Sequence, residues 1–152
     1  VTPDNPEFIL PVEKQTFDVL ISYHGLEKAL DPERLLLELR KYLVKDGLFI
    51  SMTYNIGHVS TIINLFKQGW IPTEDGALKE GNIRHFSYDS LKDLLVLSGF
   101  EMTGEDIYGF SEAPELTNSL IQITRNPYLN ALSFIVRSKR VEAFPFIEGT
   151  YP

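Results

Sequence analysis

Between Phe17 and Thr53 the sequence spells a strand, a helix and a second strand within about 40 residues, an order that leaves few folds open. FDVLIS (17–22) is a short apolar run of the kind buried on both faces of a parallel sheet. Asp31 then offers a helix N-cap, Pro32 suits the first helical position, and Glu33 falls in the first turn, where the helix dipole favours a carboxylate. Leu35, Leu36, Leu39 and Leu43 recur at helical spacing, Glu38, Arg40 and Lys41 take the other face, and Gly47 is expected as the left-handed stop. LFISMT (48–53) is the next strand. A connection of this length is a right-handed crossover between parallel strands, so the fold class is α/β.

The later segments continue the pattern. Val59, Ile62, Ile63 and Phe66 outline an amphipathic helix over 58–67, and an irregular stretch over 69–85 is long enough to suggest a functional loop or lid. Ser87 caps a helix carrying Leu91, Leu94, Leu95 and Leu97, which Gly99 ends before a strand at 100–103. A further helix is expected over 115–124, with Pro127 beyond it, and ALSFIVR (131–137) is the last strand. These elements fall within 17–140, flanked by an irregular arm at 1–16 and a tail at 141–152.

Composition removes several classes of function. With 14 basic and 21 acidic residues the formal charge is −7 and no Lys or Arg cluster stands out, so nucleic acid is not an expected partner. No apolar run approaches the roughly 18–20 residues that span a bilayer, so no membrane partner is expected either. The absence of cysteine excludes disulfides, a thiolate nucleophile and Cys-ligated zinc, and suits a reducing cytoplasm. His24, His58 and His85 lack the i, i+4 pairing of a helical metal site, so no metal is expected. Neither G-x-G-x-x-G, G-x-x-x-x-G-K-[ST] nor G-x-S-x-G occurs. The chain starts at Val1 rather than Met, which suggests a piece of a longer gene product.

Ligands of open α/β sheets gather beyond the carboxyl ends of the strands. Two such ends are legible: Tyr23-His24-Gly25-Leu26-Glu27-Lys28 and Tyr54-Asn55-Ile56-Gly57-His58. Each holds an imidazole that titrates near neutrality and so can take a proton from a hydroxyl or amine, or else serve as a hydrogen-bonded structural group. Trp70 can stack on a ligand or cover a core edge.

These residues carry a family likeness. FDVLISYHGLEKALDP resembles the fourth-strand region of class I S-adenosylmethionine-dependent methyltransferases through Phe17, Asp18, Leu26, Glu27, Asp31 and Pro32. Lys45, Gly47 and Asn55 match the family's next helix end and fifth strand. NIGHVSTIINLFKQGWIPTEDGALKEGNIRHFS is similar to a subgroup often found beside or fused to glycosyltransferases, through Asn55, His58, Ser60, Leu65, Gly69, Gly76, Leu78, Arg84, Phe86 and Ser87. The departures fall at strand ends: His24 replaces an acidic residue, Gly25 a valine, Lys28 a histidine, Tyr54 a proline and Asn82 a histidine.

The resemblance implies a partial Rossmann-like sheet of about four strands in the family order 4-5-7-6, the last strand antiparallel, with flanking helices. It implies S-adenosylmethionine as cofactor and a methyl acceptor that is a small molecule or glycan-related. Ser22, Tyr23 and Glu27 would then face the cofactor, His24 would be the base, and Tyr54, Asn55, His58, Trp70 and Arg84 would face the acceptor. The family binds its cofactor mainly through a glycine-rich loop and an acidic residue that nothing before Phe17 supplies, so a missing N-terminal half or a partner chain is expected, and the bare edge at 17–22 would suit a homodimer. The alternative is a non-catalytic binding or assembly module that kept the packing motifs and lost the cofactor site.

Overall fold

The computed structural model describes residues 11–109 and 114–141; the start of the expected arm and the tail after 141 lie outside the described residues. Four strands, β1 (Phe17–Tyr23), β2 (Leu43–Tyr54), β3 (Phe100–Tyr108) and β4 (Ser133–Arg140), form one sheet among the described residues. The helices are α1 (Pro32–Arg40), α2 (Val59–Gln68), α3 (Tyr88–Leu97) and α4 (Pro114–Thr124). The spatial order is β1-β2-β4-β3. β1 and β2 run parallel, and β4 runs antiparallel to both of its neighbours, which is the expected order with its reversed final strand.

Local chemistry explains most of the boundaries. The Asp31 carboxylate accepts the Arg34 backbone N–H at 2.9 Å and Pro32 follows, so α1 starts where the capping pattern places it. It stops earlier than the leucine spacing suggests. Lys41 N and Tyr42 N close tight turns onto the carbonyls of Glu38 and Leu39, and Leu43, fully buried, enters β2 opposite Phe17. Gly47 is not the left-handed stop: Asp46 takes that conformation (φ 58°), while a Cβ on Gly47 would come within 2.9 Å of the Val44 carbonyl oxygen. Gly47 is thus needed for close backbone approach in the irregular stretch of β2 facing the Phe17–Val19 register shift. α3 begins at a reciprocal Ser87–Ser90 cap and ends before Gly99 (φ 78°), as its sequence indicates.

One face of the sheet carries the core. Phe49 of β2, Phe100 of β3, Phe134 and Val136 of β4, Leu36 of α1 and Leu91 and Leu95 of α3 are at most 2% exposed. Each such side chain contributes on the order of 1.5–3 kcal/mol of transfer free energy. The other face is open beside β1. Val19, Ile21 and Tyr23 pair in register with Leu48, Ile50 and Met52, and they are 43%, 72% and 73% exposed. The expected burial of β1 on both faces is therefore not found: β1 is an edge strand, with no neighbour on its outer side among the described residues.

The long connection between α2 and α3 is ordered by its own contacts. Thr73 N donates to the Leu78 carbonyl and Glu80 N to the Thr73 carbonyl, closing a small turn. Ile83 N and Arg84 N both donate to the Glu27 carbonyl, and Phe86 forms a bridge with Asn55. The connection is thereby pinned to the carboxyl ends of β1 and β2. Among the described residues no helix is long and apolar enough to cross a membrane.

Candidate functional site

The chain leaves β1 through a strained residue. His24 has φ 49°, a left-handed conformation that few non-glycine residues adopt and that costs about 1–3 kcal/mol. Four contacts hold it there. Its N–H donates to the Met52 carbonyl at 3.0 Å, which extends the β1–β2 pairing by one residue. Its ring stacks on Tyr54 at 3.8 Å between centroids and 15° between planes, and meets Tyr23 edge-on at 4.6 Å. Its Nδ1 lies 3.1 Å from Glu27 Oε1. A carboxylate can only accept, so Nδ1 donates, and in the neutral ring Nε2 is then the nitrogen with the lone pair.

Glu27 is the hub of this arrangement. It sits in a short 3-10 turn (Leu26–Lys28), is 1% exposed, and its Oε1 accepts the Tyr54 backbone N–H at 2.8 Å as well as the His24 proton. Its carbonyl receives Ile83 N and Arg84 N, and its Oε2 has no partner among the described residues. One buried carboxylate thus joins the end of β1, the end of β2 and the long connection. Gly25 makes this turn feasible, because a Cβ there would lie 2.9 Å from Ser22 Oγ.

Tyr54 carries the network outward. Its hydroxyl donates to Asp75 Oδ1 in the long connection. Burial, with the Asp75 carboxylate next, pushes the phenol up to about 12, and the same hydrogen bond holds the Asp75 carboxyl below its usual range. Glu27, His24, Tyr54 and Asp75 therefore form one chain of contacts running from the core to the surface.

The other candidate residues divide differently. Ser22 and the exposed Tyr23 lie at the end of the open strand β1. Asn55 is fully engaged: its Nδ2 donates to the carbonyls of Tyr128 and Ala131 at 2.8 and 2.9 Å, and its Oδ1 accepts Gly57 N at 2.9 Å. His58 is 4% exposed, its Nδ1 lies 2.7 Å from Ser60 Oγ, and burial lowers its pKa. Arg84 turns its guanidinium onto the Leu30 carbonyl, and Trp70, 58% exposed, meets His85 edge-on at 4.8 Å. The sequence alone does not single out Asp75. Nothing in the spacing ties it to Tyr54, 21 residues away; an Asp-Gly turn within an unusually long loop was the one available signal.

Residues 2–105 match the sequence family described as a methyltransferase domain. The chain belongs to this family. None of the curated proteins compared matches it. Among solved structures, this methyltransferase domain is similar to an S-adenosylmethionine-dependent methyltransferase of Thermotoga maritima, with 20% identity and a TM-score of 0.63 over 87% of this chain and 59% of that one. A Haloferax volcanii methyltransferase solved with its Trm112 activator aligns over 88% of this chain and 57% of that one, with 14% identity and a TM-score of 0.57. The cyclase SpnF aligns over 88% of this chain and 54% of that one, with 13% identity and a TM-score of 0.52. At these identities the likeness is one of fold, and the chain spans a little over half the length of each of the three.

Proposed function

We propose that the chain is the C-terminal portion of an S-adenosylmethionine-dependent methyltransferase acting on a small-molecule or glycan-related acceptor. The observation that carries this reading is the Glu27–His24–Tyr54 assembly, which combines backbone strain, a buried carboxylate and an imidazole with a free Nε2 at the strand ends where ligands of such sheets bind. Family membership supports it.

The residues present fit the methionine end of the cofactor. Glu27 Oε2 is an acceptor left open, and the exposed Tyr23 ring offers an aromatic face to a cation. Ser22, Tyr23 and Glu27 would hold that end. When bound, the cofactor supplies an electrophilic methyl group on a sulfonium. His24 Nε2 takes the proton of the acceptor hydroxyl or amine, while Glu27 holds the ring in the tautomer that leaves Nε2 free and steadies the imidazolium. The stacked Tyr54 ring keeps water from one face of the imidazole. Tyr54, Asn55, His58, Trp70 and Arg84 remain the proposed acceptor side, with Asn55 and Arg84 acting through the backbone they hold.

The open edge of β1 supports a further part of the reading. In the working enzyme, a segment corresponding to the part of the relatives that this chain does not span covers Val19, Ile21 and Tyr23, from the same polypeptide or from a partner chain; pairing of two β1 edges is the symmetrical alternative. Sedimentation of the chain with and without Ile21→Lys distinguishes them. A dimer abolished by the substitution supports edge pairing, and a monomer in both supports the complementing segment.

Calorimetric titration with S-adenosylmethionine tests the central proposal. Micromolar binding by the chain or by its complemented form, with His24→Ala lowering turnover and leaving affinity unchanged, is the expected result. No binding in either form would refute it and favour the non-catalytic module, since fold alone does not fix function.

A further inference from the structure

Beside the His24 network lies a cavity of about 150 Å³ that the sequence motifs do not announce. It is bounded by the first turns of α2, the Thr73–Leu78 turn and Leu132. Its lining is mixed. Ser60, Thr61, Asn64, Thr73 and Asp75 bring polar groups, and Ala77, Leu78 and Leu132 bring apolar ones. A cavity of this volume takes a single six-membered ring. The polar groups suit a ring that brings hydrogen-bond donors, and the apolar ones suit the flat face of the same ring.

Asp75 sets the sign of the charge that can enter. One carboxylate oxygen already accepts the Tyr54 hydroxyl, and Lys79 Nζ is 3.9 Å from that same oxygen, so the group is partly balanced but still an acceptor. A second carboxylate or a phosphate brought into the cavity would face it directly and find no Arg or Lys among the lining residues. The same aspartate is one side chain removed from His24, through the Tyr54 ring that stacks on the imidazole. The cavity is thereby linked to His24 through the Tyr54 side chain, which stands between them.

We infer that this cavity is the acceptor subsite, and that it binds a single neutral or cationic ring rich in hydroxyl or amine donors and rejects the corresponding anion, with Asp75 as the specificity-determining residue. The inference rests on the methyltransferase reading for the word acceptor, but its binding claim stands apart from that reading.

A matched ring series tests it: glucose, glucosamine and glucuronate titrated into the ¹⁵N-labelled chain without cofactor, following the amides of Thr61, Asn64 and Ala77. Glucose or glucosamine is expected to shift these amides at millimolar concentration, and glucuronate to bind about tenfold more weakly. Stronger binding by glucosamine identifies the favoured ring as cationic, and equal or stronger binding by glucose identifies it as neutral. In Asp75→Asn, where an amide oxygen can still accept from Tyr54, glucuronate is expected to come within about twofold of glucose. Asn64→Ala, a second variant at the cavity wall, is expected to weaken all three rings alike. Glucuronate binding as well as glucose in the wild type, an unchanged ratio in Asp75→Asn, or no shift of these amides with any ring would each overturn the inference. Ring binding with no cofactor binding by either the chain or its complemented form would keep the subsite and remove the methyltransferase reading; cofactor binding without ring binding would do the reverse.

Discussion

Replacing Glu27 separates its role as a hydrogen-bond acceptor from its role as a charge. Glu27→Leu preserves much of the volume but removes the oxygen that serves both Tyr54 N and His24 Nδ1. His24 can relieve its own loss by moving its proton to Nε2. The Tyr54 N–H cannot, and a buried unsatisfied donor costs about 1–3 kcal/mol. Losing the imidazole bond to a charged group adds about 1 kcal/mol, for a total of roughly 2–4 kcal/mol. At about 2–4 °C per kcal/mol for a chain of this size, thermal unfolding followed by circular dichroism should fall by roughly 4–16 °C. Glu27→Gln is the control. Its amide oxygen can occupy the Oε1 position and keep both bonds, while its amide nitrogen takes the place of the unpartnered Oε2. The amide donors find no partner there, which costs about 1–3 kcal/mol, so the His24 tautomer rather than the melting temperature separates the two variants. ¹⁵N spectra should show the His24 proton on Nδ1 in the wild type and in Glu27→Gln, and on Nε2 in Glu27→Leu. A melting temperature unchanged by Leu, or a His24 tautomer unchanged by Leu, would refute the assignment of Glu27 as the hub.

Two further substitutions test neighbouring contacts. Tyr54 has its phenol raised from 10.0 to about 12, so its contribution to stability is complete below pH 10 and is lost as the pH rises toward about 12; Tyr54→Phe should flatten the part of the alkaline unfolding profile that this phenol causes, and ultraviolet phenolate titration should lose a late-ionising group. Asn55→Ala removes three hydrogen bonds at a residue 2% exposed, and should cost about 3 kcal/mol, read as a melting temperature roughly 6–12 °C lower.

Much of the fold was legible because capping and periodicity are local. Asp31-Pro32 and Ser87 start helices in the structure as they do in the sequence, and the alternating burial of Phe49, Ser51 and Thr53 follows from a strand with one face on the core. What failed was set by distant partners. Leu43 fits the helical stripe, yet its pairing with Phe17 draws it into β2; FDVLIS reads as buried on both faces, yet Val19 and Ile21 are exposed among the described residues. The site shows the same division. His24 and Glu27, three residues apart, were visible as a pair of candidates, whereas Asp75 reaches them only through a side-chain bond that closes across the long connection.

The two sides of the candidate site are unequal in how they are built. On the proposed acceptor side, the connection between α2 and α3 is held by the described chain: the Glu27 carbonyl holds Ile83 and Arg84, Ile56 N holds the Phe86 carbonyl, and Tyr54 holds Asp75. On the side of Ser22 and Tyr23 the support ends at an edge strand with apolar side chains facing outward. A site preorganised on one side and open on the other binds its acceptor without help but gains its donor only when the open side is covered. Ring binding should therefore be indifferent to whatever covers β1, while cofactor binding should depend on it. This difference in dependence separates the proposed division of labour from a uniform loss of function.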